Sequence, residues 1–368
     1  MYARVRPWLF RQDPESIHEL AMHLLAFVAG GRPRLKLLSA LLRVQNERLK
    51  VRLWGLEFPN PIGLAAGFDK NARAVAAWPA LGFGHVEIGS VTALAQPGNP
   101  KPRLFRLPQD QALINRMGFN NDGAEVIAAR LARWQQTHGK IPVPLGINLG
   151  KSKLTPLEEA PADYLKSLRL LWPYGDYFAI NVSSPNTPGL RQLQDRDRLE
   201  ELLGAVMGFA RAQPEAKPVL LKIAPDLSWE QVDEILELAE RYGLSGLIAT
   251  NTTVARDGLT TPTSVDEVPA RAEAGGLSGR PLRARSLEVL QYLSRQLQGR
   301  LPIISVGGIF SPEDVLERLR GGASLVQVYT GFIYEGPFML RNLNRGLLEH
   351  LERLGLKSVE DVRRSSNP

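Results

Sequence analysis

From about residue 50 onward, the chain alternates short apolar runs with longer spacers. The runs are too short to form helices, and each spacer is long enough for a helical crossover. Eight such repeats predict an α/β protein whose parallel strands close into a (β/α)8 TIM barrel. The expected active site lies at the carboxyl ends of the strands. The runs are residues 62–66, 85–90, 143–149, 177–182, 218–223, 246–250, 302–306 and 324–329.

An N-terminal helical extension is predicted ahead of the barrel. Residues 13–15 (DPE) are a helix-start signal before apolar residues at helical spacing, and residues 30–33 (GGRP) separate this helix from a second one. The domain division is therefore residues 1–45 for the extension and 46–368 for the barrel. The longest apolar run in the extension is far shorter than the roughly 20 residues that a transmembrane helix needs.

Charge is concentrated in the extension. Residues 1–50 hold nine Lys and Arg against four Asp and Glu, which accounts for +5 of the net charge of +7. A basic segment with an apolar face suits an anionic membrane surface, whereas a nucleic-acid enzyme would spread basic and aromatic residues around its catalytic face. We therefore expect peripheral membrane association and no nucleic-acid partner. A helical hairpin that packs only on the barrel remains an alternative.

Composition excludes several chemistries. The chain has no cysteine, which rules out disulfides, thiolate zinc sites, iron–sulfur ligation and cysteine nucleophiles. Its five histidines show no His-Glu-x-x-His spacing, so no metal site is predicted. Gly82 and Gly84 are followed by Glu87 where a dinucleotide fingerprint needs its third glycine, which disfavours direct NAD chemistry.

Polar residues recur where the predicted strands end. Each has an ordinary explanation by itself, since Lys222 could snorkel to the surface and Asn148 could cap a turn. Because the strands converge on one mouth, together they predict a site for a planar polar ligand, and the glycines after the last two runs suit a phosphate group. The polar residues are Lys70, Ser90, Asn148, Asn181, Lys222, Thr250, Asn251, Tyr329 and Thr330.

The run at 177–182 leads into the most informative turn. Asn181 interrupts an otherwise apolar strand, so its amide needs a partner. Pro185 and Pro188 then stiffen a loop that carries several hydroxyl and amide side chains. A turn that caps its own backbone is the simpler alternative on these residues alone.

The stretch 181–191 (NVSSPNTPGLR) resembles the active-site loop of the dihydroorotate dehydrogenases, and specifically of their quinone-dependent class (class 2), in which the catalytic base is a serine. Residues 65–71 (AAGFDKN), 98–106 (GNPKPRLFR) and 115–120 (NRMGFN) match further motifs of that family in order. The resemblance covers nearly the whole chain. Some members carry threonine at the position of Ser90, which keeps the hydroxyl.

The resemblance implies a role for each matched residue. Ser184 is the implied catalytic base, with Thr187 and Phe119 in its proton relay, and His18, Arg106 and Tyr329 line the implied quinone tunnel. The implied substrate-binding residues are Lys70, Asn115, Arg116, Met117, Gly118, Phe119, Asn181, Asn186, Asn251 and Thr252. The implied FMN-binding residues are Ala66, Gly67, Ser90, Asn148, Asn181, Lys222, Thr250, Gly279, Gly308, Tyr329 and Thr330.

The function that the resemblance implies is the oxidation of (S)-dihydroorotate to orotate in de novo pyrimidine biosynthesis, with electrons passing through FMN to a membrane quinone. It also implies a monomer bound peripherally at the cytoplasmic face of the cell membrane. A dihydrouridine synthase is disfavoured because that family uses a cysteine acid and an RNA-binding surface. A non-enzymatic quinone- or lipid-binding protein is disfavoured because Ser184, Lys70 and the asparagines are all retained.

Overall fold

The computed structural model describes residues 2–262 and 272–364. Within these ranges the strands are β1 (Val51–Leu53), β2 (Leu56–Phe58), β3 (Ile62–Leu64), β4 (His85–Val91), β5 (Leu104–Leu107), β6 (Ala112–Asn115), β7 (Leu145–Leu149), β8 (Tyr177–Asn181), β9 (Val219–Ile223), β10 (Gly246–Ala249), β11 (Gly276–Gly279), β12 (Ile303–Val306) and β13 (Leu325–Val328). The helices are α1 (Tyr2–Leu9), α2 (Pro14–Ala29), α3 (Arg32–Leu42), α4 (Ala77–Ala80), α5 (Ala124–His138), α6 (Ala160–Leu171), α7 (Arg196–Arg211), α8 (Trp229–Tyr242), α9 (Arg283–Leu297), α10 (Pro312–Arg320), α11 (Thr330–Glu335), α12 (Met339–Arg353) and α13 (Val359–Arg364).

Eight parallel strands form a closed barrel, in the order β3-β4-β7-β8-β9-β10-β12-β13. Pairing of β13 with β3, where Gln327 lies opposite Gly63, closes the ring. Each of the eight predicted runs overlaps one barrel strand, so the (β/α)8 prediction is confirmed.

Every residue of the eight barrel strands is buried. Helices cover the outer face and side chains fill the interior, which is why these strands are nearly continuous apolar runs rather than alternating ones. Polar side chains inside the strands must therefore find partners within the barrel or in a bound ligand.

Two long excursions from the barrel meet in a small antiparallel sheet. The stretches after residues 90 and 250 are rich in Pro, Gly and charge, as is typical of loops, yet they contain β5, β6 and β11, paired in the order β5-β6-β11. Asn115 at the end of β6 lies opposite Gly276 at the start of β11. A small apolar cluster that includes Phe105, Ile114 and Leu277 stabilises this sheet.

The N-terminal extension is helical, as predicted. Helix α2 begins after Asp13, whose carboxylate accepts a hydrogen bond of 2.7 Å from the backbone N–H of Ser16. Helix α1 is an additional element that the apolar spacing did not reveal. In the described ranges, no helix combines the length and the hydropathy that crossing a bilayer requires.

Candidate active site

A cavity of about 1020 Å³, including its open mouth, lies at the carboxyl ends of the barrel strands. Ligand sites of (β/α)8 barrels lie at this end of the barrel. The predicted site residues that line it are Ala66, Gly67, Lys70, Ser90, Asn115, Met117, Gly118, Phe119, Asn181, Ser184, Asn186, Lys222, Thr250, Asn251, Thr252, Gly279, Gly308, Tyr329 and Thr330.

Asn181 is the centre of a hydrogen-bond network across four strand ends. Its Nδ2 donates to Ser90 Oγ at 2.9 Å and to Asn148 Oδ1 at 3.1 Å. Its Oδ1 accepts from Ser183 Oγ at 2.8 Å and from Asn251 Nδ2 at 3.3 Å. These partners satisfy the amide that interrupted the apolar strand. Asn148 does not line the cavity and acts through this network.

Lys222 lies at the floor of the cavity, with its side chain 6% exposed. Lys222 therefore does not snorkel to the protein surface, which was the alternative explanation of this residue. Its ammonium is 3.7 Å from the carboxylate of Glu87, a fully buried residue of β4. A buried cation that lines a cavity can stabilise negative charge on a bound ligand.

The far end of the cavity is formed by glycines. Gly308 has a φ of +70°, and a Cβ there would lie 2.5 Å from the Cα of Arg283. Gly279 has a φ of +101°, and its Cβ would lie 2.8 Å from the Cα of Ala112. Only glycine fits these two positions, so the backbone itself forms a cradle that suits a phosphate group.

The buried Arg318 supports this cradle from behind. Its Nη2 donates to the backbone oxygens of Gly307 at 2.8 Å and of Arg283 at 2.9 Å. Burial lowers the pKa of Arg318 to about 10, so the guanidinium is still charged at pH 7. The two carbonyls are therefore held by a cation outside the cavity.

Ser184 and two asparagines occupy the opposite side of the mouth. Ser184 Oγ accepts a hydrogen bond of 3.3 Å from the N–H of Asn186, and among the described residues its own proton has no acceptor. Asn186 Nδ2 donates to Asn115 Oδ1 at 3.0 Å. Thr187 Oγ1 is buried nearby without a partner in the described part of the chain. A hydroxyl in such surroundings can exchange a proton with a ligand or with water.

Lys70 supplies a cation to the mouth. Within the described ranges its ammonium makes no hydrogen bond or ion pair, and burial lowers its pKa to about 8. Thr252 Oγ1, also on the cavity wall, is buried without a described partner. An unpaired cation and an unpaired hydroxyl in one cavity indicate a polar, anionic ligand.

Arg116 is the predicted substrate-site residue whose side chain is engaged elsewhere. Its guanidinium pairs with Glu273 and lies 4.5 Å above the ring of Phe105, so the side chain does not line the cavity. The acidic partner and the aromatic ring hold it outside. Its neighbours Met117 and Gly118 do line the cavity.

The comparisons with known proteins agree with this geometry. The family model described as dihydroorotate dehydrogenase matches residues 48–351. The chain belongs to the dihydroorotate dehydrogenase family. A curated relative from Gloeobacter violaceus, named dihydroorotate dehydrogenase (quinone), is 54% identical over 364 residues and covers 98% of each chain. A relative of the same name from Thermus thermophilus is 55% identical over 359 residues, with 97% of this chain and 99% of the relative covered.

Solved structures support the same assignment. The crystal structure of the Eimeria tenella dihydroorotate dehydrogenase in complex with ferulenol has a TM-score of 0.85 and 37% identity, covering 95% of this chain and 94% of that one. Because the curated relatives match over almost their full length, extension included, this chain is a member of the quinone-dependent class.

Members of the dihydroorotate dehydrogenase family bind FMN, and this cavity fits that cofactor. Gly279 and Gly308 line the cavity with backbone, and Gly308 follows the seventh barrel strand, where (β/α)8 barrels commonly hold a phosphate. Lys222 provides a cation at the floor, and the amide network fixes the strand ends around it. FMN fits the residues present.

Of the predicted quinone-tunnel residues, His18 lies on α2, Arg106 on β5 and Tyr329 on the cavity wall. The ring of His18, on α2, lies 5.1 Å from that of Phe68, which is 5.2 Å from that of Tyr329. Burial, with the Lys70 charge as the second cause, lowers the pKa of His18 to about 4, so its ring is neutral at pH 7. Arg106 donates to the backbone oxygen of Gln12 at 2.8 Å and does not reach the cavity.

One buried ion pair fixes α2 to the barrel. Arg103 donates to both carboxylate oxygens of Glu15, at 2.7 and 3.1 Å, and both side chains are at most 10% exposed. Arg103 also donates to the backbone oxygen of Asn99 at 2.8 Å. Asn99 Nδ2 in turn donates to the backbone oxygens of Arg116 at 2.9 Å and of Asn186 at 3.1 Å.

The sequence interpretation missed several residues of the site. Ser278 and Gln327 line the cavity, and Glu87 and Asn99 hold residues that do. Glu87 could have been found, because a carboxylate inside the apolar run 85–90 needs a partner for the same reason as Asn181. Asn99 offered no such signal, because its partners are distant in sequence.

Proposed function

We propose that this protein oxidises (S)-dihydroorotate to orotate in de novo pyrimidine biosynthesis and passes the electrons through FMN to a membrane quinone. The observation that supports this most strongly is the single cavity in which a glycine cradle, a buried lysine and a serine–asparagine cluster meet. Membership of the quinone-dependent class gives the same activity.

FMN, when bound, supplies the acceptor for the hydride that leaves C6 of dihydroorotate, and it later gives up both electrons to the quinone. The residues that would hold it are Ala66, Gly67, Ser90, Asn148, Asn181, Lys222, Thr250, Gly279, Gly308, Tyr329 and Thr330. All of them except Asn148 line the cavity.

Ser184 is the proposed base that removes the proton from C5. The hydroxyl oxygen of Ser184 accepts a hydrogen bond from the Asn186 N–H, and among the described residues the hydroxyl proton has no acceptor. The hydroxyl can therefore give this proton to water while its oxygen takes up the proton from C5. The proposed route of that proton passes the unpaired hydroxyl of Thr187 and the ring of Phe119.

Substrate is held by Lys70 and the asparagines. The Lys70 ammonium can pair with the substrate carboxylate, and Asn115, Asn186 and Asn251 can match the amide groups of the ring. Met117, Gly118 and Thr252 complete the wall, with Asn181 shared between substrate and cofactor.

The purified protein gives a direct test of this function. We expect a yellow protein whose flavin absorbance bleaches when dihydroorotate is added anaerobically and returns when a long-chain quinone follows. Absence of bound flavin, or a flavin that dihydroorotate does not bleach, would contradict the proposal. Recovery with NAD but not with quinone would contradict only the electron acceptor.

The extension, residues 1–45, is the proposed membrane and quinone-access region, with quinone passing His18, Arg106 and Tyr329. The quinone-dependent class implies membrane association. In support, the extension exposes large apolar side chains, and it carries most of the excess basic charge. The exposed residues are Val5, Trp8, Leu20, Leu24, Phe27, Leu37 and Leu41. We further propose a monomer at the cytoplasmic face of the membrane.

Two exposed positions of α2 test the membrane role without disturbing the core. Leu24 and Phe27 are 59% and 63% exposed, so the double change Leu24→Glu/Phe27→Glu should leave folding intact. Binding to vesicles that contain anionic lipid should fall by about tenfold or more, because two apolar contacts are lost and two negative charges are added. Leu154→Glu is the matched control, since Leu154 is 86% exposed outside the extension. Equal losses in both variants would contradict the assignment.

A further inference from the structure

Glu87 is a fully buried carboxylate inside the barrel, in a strand whose other residues are mostly apolar. Removing a carboxylate from water costs several kcal/mol unless it is paired and hydrogen-bonded. A glutamate at this position therefore needs a compensating interaction. The proposed function assigns it no role.

Four other strands of the barrel supply partners to this carboxylate. Oε1 accepts from Asn148 Nδ2 at 2.9 Å and lies 3.7 Å from Lys222 Nζ. Oε2 accepts from Gln327 Nε2 at 2.8 Å and from the hydroxyl of Tyr177 at 3.2 Å. The carboxylate therefore joins β4 to β7, β8, β9 and β13.

The two oxygens face different kinds of partner. Oε1 contacts Asn148 and Lys222, both of which belong to the proposed cofactor site. The partners of Oε2 are the amide of Gln327 and the hydroxyl of Tyr177, and Tyr177 does not line the cavity. Oε1 thus lies near a cation, whereas both partners of Oε2 are neutral, and one of these, Gln327, lines the cavity.

Lys222 depends on this carboxylate for its counter-charge. Among the described acidic residues, only Glu87 lies within ion-pair distance of its ammonium. A positive charge at the cavity floor acts on the flavin ring, and a negative charge behind it weakens that action.

We propose that Glu87 is a positioning residue of the cofactor site, which holds the ammonium of Lys222 at the cavity floor and partly balances its charge. This inference rests on the proposed function, because it requires FMN above Lys222. The carboxylate then determines how strongly the positive charge of Lys222 stabilises the reduced, anionic flavin.

The test is the equilibrium constant for FMN reduction in the full-length holoprotein, measured against a reference dye at pH 7 without dihydroorotate. Glu87→Gln keeps the shape of the side chain and removes its charge. We expect reduction to become more favourable by about tenfold, the order of magnitude by which one nearby charge shifts the equilibrium of an ionisable group. Without the carboxylate, the positive charge of Lys222 is no longer partly cancelled and stabilises the reduced flavin more strongly.

Two further variants separate positioning from a general structural role. In a Lys222→Met background, Glu87→Gln should change the equilibrium constant by a smaller factor than in the parent, because the part of its effect that comes from holding the ammonium in place is lost. Tyr177→Phe removes one donor from Oε2 and should lower the melting temperature while leaving the equilibrium constant within threefold of the parent value. An unchanged or reduced constant in Glu87→Gln, or an equal change in both backgrounds, would overturn the proposal.

If Glu87→Gln does not fold, the double variant decides. An uncompensated buried ammonium is strongly destabilising, so adding Lys222→Met should restore folding if the two residues act as a pair. Failure of the double variant would show that Glu87 is needed for the barrel itself and would overturn the proposal. The dye measurement does not involve dihydroorotate, so a flavin that dihydroorotate fails to bleach contradicts the proposed function without bearing on Glu87.

Discussion

The affinity for orotate should fall as the pH rises through 8. Lys70 is the cation at the mouth of the cavity, and burial lowers its pKa to about 8. An anionic carboxylate pairs with the protonated form only. With that pKa, the protonated fraction falls from about nine tenths at pH 7 to about one tenth at pH 9. The dissociation constant for orotate should therefore rise about tenfold over this interval.

The measurement is a titration of the oxidised flavin absorbance with orotate at several pH values between 6.5 and 9.5. Lys70→Met is the control, because it keeps an apolar stem of similar length and removes the titrating group. It should bind orotate weakly at every pH, and any titration of orotate itself should appear in both proteins. A parent dissociation constant that stays within twofold from pH 7 to pH 9 would refute the reasoning. An equal pH dependence in Lys70→Met would refute it as well.

The remaining predictions concern the base, the cofactor and the extension. Ser184→Ala should slow flavin reduction by about 10²–10⁴-fold in stopped-flow measurements at saturating dihydroorotate while FMN stays bound, and a rate within threefold of the parent would remove this role. Lys222→Ala should weaken FMN retention or slow its reduction, and full occupancy with an unchanged rate would contradict its place at the floor. Gly308→Ala should be purified largely without flavin, because its Cβ would strike the neighbouring backbone at a φ of +70°; normal flavin content would contradict the cradle. Glu15→Ala should lower the free energy of unfolding in urea by about 3–5 kcal/mol because it leaves a buried guanidinium unpaired, whereas Glu19→Ala, in a more exposed ion pair, should cost less than about 1 kcal/mol; equal losses would contradict this distinction.

The barrel could be predicted because its signal is local. Every barrel strand is buried on both faces, so each is a short apolar run that can be recognised without knowing its neighbours. The small sheet β5-β6-β11 has no such signal. The pairing of β6 with β11 joins Asn115 to Gly276, across a long stretch of chain, and β11 consists only of Gly, Leu and Ser. Pairing of this kind depends on the finished fold.

Some residues of the candidate site could likewise be predicted from local sequence, and others could not. Residues at strand ends, such as Asn181 and Lys222, could be predicted because a parallel barrel brings all its strand ends together. The side chain of Arg116 could not be placed, because its direction depends on Glu273 in the other excursion. Glu87 could have been predicted in the same way as Asn181, whereas the partners that four other strands supply to its carboxylate appear only in the folded barrel.

The extension and the barrel share buried and half-buried polar contacts. Glu15 of α2 is buried against Arg103 in the loop that leads to β5, and α1 is tied to the last part of the barrel by the hydroxyl of Tyr2, which donates to the backbone oxygen of Ile333 at 2.6 Å. The boundary at residue 45 is therefore a proposed functional division, and an ion pair and a hydrogen bond cross it. Because Arg103 also holds the carbonyl of Asn99, the ion pair that seats α2 supports the loop beside the proposed substrate site.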